Sequence, residues 1–172
     1  RAIVLGGYVN QDPAVLVFDL ETENLKIVPG FFVTDTELLD LRMNANNTFN
    51  TLTIDRNAKE KKKLMLKTFD ASGAMLFDDN IEIDAKRAIL SGITSPLVND
   101  ELLITGTWTE GTSKQASGIY SVMGDPFSDQ PIKFYDFGSL QNFLEYQTSP
   151  KRAAKLKEKS KEAKVSGVIP DF

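Results

Sequence analysis

The feature that most restricts what this chain can fold into is the punctuation of residues 1–137: short apolar or alternating runs, each closed by turn residues, with almost no helical periodicity. The first cluster holds Ala2–Val9, a turn at Asn10-Gln11-Asp12-Pro13, then Ala14–Leu20, a turn at Glu21-Thr22-Glu23-Asn24, and Leu25–Val28 ending at Pro29-Gly30. The second runs through Leu38–Asn44, Asn50–Asp55, Lys63–Phe69 and Ala74–Ile83, and reads as a four-stranded meander. The third holds Ala88–Ile93, Glu101–Thr109, Ser117–Met123 and Ile132–Phe137. Four short strands per roughly 40–50 residues is the spacing of β-propeller blades, each a meander that needs neighbours to bury its faces. One internal echo supports the period: Arg1-Ala2-Ile3-Val4-Leu5-Gly6 against Arg87-Ala88-Ile89-Leu90-Ser91-Gly92, about two units of 43 residues apart.

After Phe137 the pattern changes. Ser139 is placed to cap a short docking helix over Leu140–Gln147, with Leu140, Phe143 and Leu144 on one face. Ser149-Pro150 then opens a second helix, from Lys151 to about Val165, stopping before Gly167. The expected organisation is an all-β domain over 1–137, built of about three four-stranded propeller-type blades in a partial or open propeller, and a segment over 138–172 with the docking helix, the basic helix and a tail. The alternative is a two-sheet β-sandwich, in which strands are exchanged between facing sheets.

Composition matters here mainly for the chemistry it removes. Among 172 residues there is no Cys and no His, so thiol nucleophiles, Ser-His-Asp triads, disulfides and Cys- or His-ligated metals are all excluded within the chain. Carboxylates, Lys, Tyr and hydroxyls are left. The densest carboxylate set is Asp78-Asp79-Asn80 with Glu82 and Asp84; strand alternation puts Asp78, Asn80, Glu82 and Asp84 on one face and Asp79, Ile81 and Ile83 on the other. Its functional reading is a hard-cation site or part of a glycosidase pair. Its simpler reading is an acidic, solvated outer strand that discourages edge pairing.

Gly106-Thr107-Trp108-Thr109-Glu110-Gly111-Thr112-Ser113 has two glycines at phosphate-loop spacing but Thr112 where such a loop needs Lys, and it reads as a hairpin tip. Trp108, the one Trp, with Tyr120 on the next strand and Tyr8 in the first cluster, is the candidate aromatic platform for a sugar or peptide, against the plainer role of filling space between stacked sheets. No catalytic residue, metal ligand or cofactor is assigned.

Charge is unevenly spread: net −4 overall, but seven basic residues (Lys151, Arg152, Lys155, Lys157, Lys159, Lys161, Lys164) against two acidic ones between Lys151 and Lys164. Such a stripe attracts phosphate, nucleic acid or anionic lipid. It lacks the aromatics that stack bases and the apolar face that enters a membrane interface, which favours a solvated helix and argues against nucleic acid. No run is apolar and long enough for a transmembrane helix.

Ser117-Gly118-Ile119-Tyr120, followed by Ile132-Lys133-Phe134-Tyr135-Asp136-Phe137-Gly138-Ser139-Leu140-Gln141-Asn142-Phe143, resembles a string in large Bacteroidota cell-envelope proteins, where it closes a propeller-like β region ahead of a Lys-rich helix. The resemblance covers the last third of the chain. It implies an exported, propeller-like protein, periplasmic or at the cell surface, and provides no catalytic residue. The expectation is a non-catalytic interaction or scaffold module of a larger envelope protein. Three blades fall short of the four to eight of closed propellers, so a protein partner, or the remainder of the same polypeptide, is expected to cover an open β edge. The alternative is a carbohydrate-binding or carbohydrate-active propeller using carboxylates and Trp108.

Overall fold

A computed structural model describes residues 1–29, 36–56, 62–99, 101–124, 131–140, 149–152, 154, 155 and 158. Their strands form three antiparallel sheets. The N-terminal sheet, ordered β1-β2-β3, contains β1 (Ala2–Val9), β2 (Asp12–Asp19) and β3 (Leu25–Ile27). The middle sheet is a four-stranded meander of β4 (Thr36–Met43), β5 (Thr48–Asp55), β6 (Lys63–Asp70) and β7 (Met75–Glu82). In the C-terminal sheet, β12 (Lys133–Asp136), β11 (Gly118–Gly124) and β10 (Leu102–Glu110) lie side by side, and both β8 (Arg87–Ile89) and β9 (Ile93–Thr94) pair with β10 on its other edge. A short 3-10 helix, Phe137–Ser139, follows.

Turn chemistry sets the registers. The β1–β2 hairpin has a two-residue loop, because Val9 pairs with Asp12 and both Asn10 (φ 51°) and Gln11 (φ 74°) are left-handed, as the right-handed twist of the flanking strands requires. Asp12 and Pro13 therefore belong to β2 and not to the turn. Pro13 is tolerated because β3 covers β2 only from Leu16 to Phe18. Between β6 and β7 the carboxylate of Asp70 accepts from the Ser72 amide (2.8 Å), the Ser72 hydroxyl (2.7 Å) and the Ala74 amide (2.9 Å), while Gly73 supplies φ 80°.

The middle sheet is covered on both faces. Toward the C-terminal sheet it contributes Leu52, Ile54, Leu64, Leu66, Ile81 and Ile83, which pack with Ile89, Leu102, Ile104, Trp108, Tyr120 and Val122. Toward the N-terminal sheet it contributes Phe49 and Phe69, stacked at 5.1 Å, which pack with Val15, Val17 and Val28. Alternation explains the division, since Leu52 and Ile54 occupy one phase of β5 and Phe49 the other. Polar ties add to the packing. Asp40 on β4 accepts from the amide and the hydroxyl of Thr94 on β9, both at 2.7 Å; the Tyr8 hydroxyl meets the Leu38 amide at 3.0 Å; and Lys26 donates to the Ser72 carbonyl at 2.9 Å.

Three expectations need correction. The single strand expected over Ala88–Ile93 is broken into β8 and β9. The Ser91 carbonyl presses on Gly106, where any Cβ would collide with it, and the Leu90 and Ser91 amides both turn to the Thr107 carbonyl. The echo does not mark equivalent environments, for Ile3 is 44% exposed and Ile89 fully buried. Ser139 ends a 3-10 turn, donating its hydroxyl to the Asp136 carbonyl at 2.8 Å, and Leu140 is extended, so neither residue begins a helix. The rest of that docking helix, 141–147, lies outside the described residues.

Candidate functional site

Strands β1 and β2 are apolar in both phases; one packs against the middle sheet, and of the other only the hairpin end, at Ala14, is buried. The inward phase is Ala2, Val4, Val15 and Val17. The outward phase forms two ladder rows across the sheet: Ile3 opposite Phe18 opposite Leu25, and Leu5 opposite Leu16 opposite Ile27. Leu16 and Phe18 on the central strand are half-buried, while Ile3, Leu5, Leu25 and Ile27 on the flanking strands are 44 to 59% exposed. The result is a contiguous patch of six apolar side chains on the face turned away from the middle sheet.

The C-terminal sheet carries a counterpart. Its even-numbered phase on β10 and β11 is core. Its outward phase pairs Leu103 with Met123, Thr107 with Ile119, Ile119 with Tyr135, and Thr105 with both Ser121 and Ile93. Ile93, Leu103 and Tyr135 are exposed there, Ile119 and Met123 half-buried. The two uncovered faces thus lie at opposite ends of a three-sheet stack. Among the described residues, no layer covers either face.

The aromatic platform is corrected. Trp108 and Tyr120 are 1% and 0% exposed, set in the core between the middle and C-terminal sheets. The Trp108 indole N–H donates to the Ile119 carbonyl at 3.1 Å, and the ring meets Phe134 edge-on at 5.4 Å. Gly118 makes room for that indole, because a Cβ there would stand 2.7 Å from Nε1. The Tyr120 hydroxyl donates to the Ser91 carbonyl at 3.1 Å, and burial pushes its pKa well above the ordinary tyrosine value. The Arg87 guanidinium lies over Phe134 at 4.3 Å and Trp108 at 5.1 Å, and 3.5 Å from Asp84. Only Tyr8 of the three remains exposed, with its hydroxyl committed to the Leu38 backbone. No ligand-facing aromatic group forms from these three.

The polar residues on and just after β7 behave as alternation requires: Asp78, Asn80, Glu82 and Asp84 are exposed, Ile81 and Ile83 buried. Lys67 sits 3.9 Å from Asp78. Among the described residues no group of three or more acidic side chains has a metal-holding arrangement. Gly106 and Gly111 fall within and just after β10, and the chain continues as a hairpin into β11, so no helix N-terminus faces them. Of the basic stripe, Lys151, Arg152 and Lys155 are helical and exposed; Lys157, Lys159, Lys161 and Lys164 lie outside the described residues.

An open depression of about 710 Å³ lies among turns at one end of the first two sheets, near Arg1, Asp19, Met43, Asn47 and Ser72. Asp19 there accepts from the Glu21 and Thr22 amides at 2.8 and 3.4 Å, which holds its carboxyl below the usual range and makes it a turn brace and not a proton carrier. The surface missed from the sequence is the outer face of the N-terminal sheet, and its signal was present: a strand apolar in both phases expects cover on both sides. Comparisons with protein-family models, curated proteins and solved structures give no match.

Proposed function

We propose that this chain is a non-catalytic interaction or scaffold module, its sheets being propeller-type blades of an exported cell-envelope protein. The observation that carries the reading is the contrast among the sheets: the middle one packs buried apolar side chains on both faces, whereas among the described residues the outer ones are covered on one. The uncovered faces are the working surface, and the partner is a protein element that buries them. The resemblance of the last third to envelope proteins with a propeller-like region supports the location outside the cytoplasm. The carbohydrate reading loses support because its two main aromatic groups are core residues.

The test uses an apolar dye such as anilinonaphthalene sulfonate with the chain below micromolar concentration. Strong fluorescence enhancement by the folded native chain, abolished by Leu5→Lys with Leu25→Glu at an unchanged circular dichroism spectrum, is the expected result. No enhancement by the native chain, or a hydrolase activity lost on substituting one carboxylate, would overturn the reading.

A further inference from the structure

Among the described residues, every sheet edge but one carries a device against pairing with another chain. Strands β3, β8 and β9 are two or three residues long. Strand β12 has four residues, Lys133 and Asp136 among them. Strand β7 bears Asp78, Asp79 and Glu82, and its register on β6 shifts between Thr68 and Phe69. Strand β4 has a shift between Leu38 and Asp40, and its Leu38 amide already donates to the Tyr8 hydroxyl at 3.0 Å. Short strands, charges and bulges are the means by which sheets avoid joining other chains. Strand β1 has none of them: Ala2-Ile3-Val4-Leu5-Gly6-Gly7-Tyr8-Val9 runs eight residues in unbroken register on β2, without a charge or a proline.

The free edge of β1 has a definite chemistry. The Leu20 amide donates to the Arg1 carbonyl at 2.9 Å, so in antiparallel alternation Ile3, Leu5, Gly7 and Val9 exchange bonds with β2. Ala2, Val4, Gly6 and Tyr8 therefore turn their N–H and C=O groups outward, and among the described residues nothing bonds them. Donors and acceptors repeating at every second residue along a straight edge fit an extended polypeptide backbone; a sugar or a nucleic acid has no such repeat. We propose that β1 takes up an extended segment of a partner protein as a fourth strand of the N-terminal sheet. The inference locates the contact of the interaction module proposed above and rests on that reading.

The side chains beside the ladder select the segment. Ile3, Leu5 and Val9 share the outward phase with Gly7 and are 44 to 52% exposed. A Cβ on Gly7 meets nothing within 4 Å, so a bulky apolar residue across from it has room to lean between Leu5 and Val9. The segment is thus uncharged along the ladder and apolar at every second position, extending the rows that Ile3 and Leu5 begin. A second β1 is a poorer occupant. Antiparallel pairing over the whole ladder sets Ile3 against Gly7 and Val4 against Gly6, so Leu5 against Leu5 is the one pair of large apolar side chains gained.

The probe is a fluorescein-labelled synthetic peptide, as long as β1, that alternates Ile with Thr and is flanked by Lys for solubility. With the native chain its anisotropy is expected to saturate in the micromolar range. Hydrogen exchange read by nuclear magnetic resonance supplies the position. The Val4, Gly6 and Tyr8 amides should exchange fast in the free chain and at least about tenfold more slowly with peptide, while Ile3, Leu5 and Gly7, already bonded to β2, change little. Gly7→Lys, placed where a side chain meets open space, and Val4→Pro, which removes an outward N–H and no bond to β2, are each expected to weaken binding at least about tenfold. N-methylation of the alternate peptide amides that face β1 should abolish binding and that of the other set should spare it, a split that apolar adhesion does not produce. Four results would overturn the proposal: no saturable binding by the native chain, both variants binding as well as the native chain, equal binding of the two methylated peptides, or Val4, Gly6 and Tyr8 amides already protected without peptide, which means that this chain or a second copy fills the edge. A chain that enhances dye fluorescence but takes no peptide loses only this proposal, whereas one that does neither also loses the reading beneath it. Ile3→Lys, on the same edge, replaces either variant whose circular dichroism shows lost structure.

Discussion

At Gly106 a tight local constraint of the C-terminal sheet is visible in one atom. An added Cβ meets the Ser91 carbonyl, which is backbone and cannot move aside without breaking the hydrogen bonds that Leu90 and Ser91 make to Thr107. Gly106→Ala is therefore expected to cost about 3 kcal/mol, in the range of strained or overpacked sites. Gly7→Ala, where a Cβ meets nothing within 4 Å, should be close to neutral. Urea unfolding of both variants checks the contrast. In the β1–β2 loop Gln11 holds φ 74° without the licence glycine has, so Gln11→Gly should raise stability by about 1 kcal/mol, read as a higher urea midpoint at unchanged slope.

Asp70 gives a pH dependence with a definite sign. The Ser72 hydroxyl, then the Ala74 and Ser72 amides, hold its carboxyl below the ordinary 3.8, so the folded chain binds a proton less readily there than the unfolded one. Its contribution is complete above the unfolded value and is lost as pH falls through the lower folded one. Asp70→Asn should lower the urea midpoint at neutral pH and flatten its decline below about pH 4. An unchanged acid limb would refute this assignment. In the sequence Asp70 stands only in the gap between the runs Lys63–Phe69 and Ala74–Ile83; its role as acceptor for three donors required knowing where Ser72 and Ala74 point.

At the scale of elements, the strands were legible because turns in this chain are written in Asn, Asp, Gly and Pro, and because β5, β6 and β7 alternate or run apolar over short lengths. Boundaries moved where tertiary contact decided them. Pro13 joined β2, and the strand expected over Ala88–Ile93 broke at Leu90–Gly92 because β10 offers a glycine there for the Ser91 carbonyl to approach. Trp108 was legible as a strand aromatic, with space-filling between sheets as its plainer role, but the inward face was not. Its phase on β10 is shared with Leu102 and Ile104, yet only the position of the middle sheet says which phase is inside. With this Trp buried, its emission should be blue-shifted and insensitive to added saccharides and to acrylamide. Saccharide-dependent quenching would restore the carbohydrate reading.

Across the whole molecule, coverage predicts a gradient of local stability. Amides of β5 and β6 lie in the sheet buried on both faces and should exchange slowest with deuterium. Those of β1 and β3, at the edges of a sheet with one uncovered face, should exchange faster under the same conditions, by two or more orders of magnitude if local opening there costs about 3 kcal/mol less. Covering the outer faces by a partner should narrow that difference. Equal protection in all three sheets of the monomer would contradict the stacking order described above.

Sequence alone determined that the body is β, that its strands are short and connected as meanders, and that His and Cys chemistry is absent, since each follows from residue type and near-neighbour spacing. Tertiary structure decided which sheet lies between the other two, that Trp108 and Tyr120 are spent on packing, and that two apolar faces carry no cover among the described residues. The physical reason is that a strand apolar in both phases asks for cover on both sides without naming it. Whether that cover is present depends on which sheets stack against it, and that is a property of distant parts of the chain.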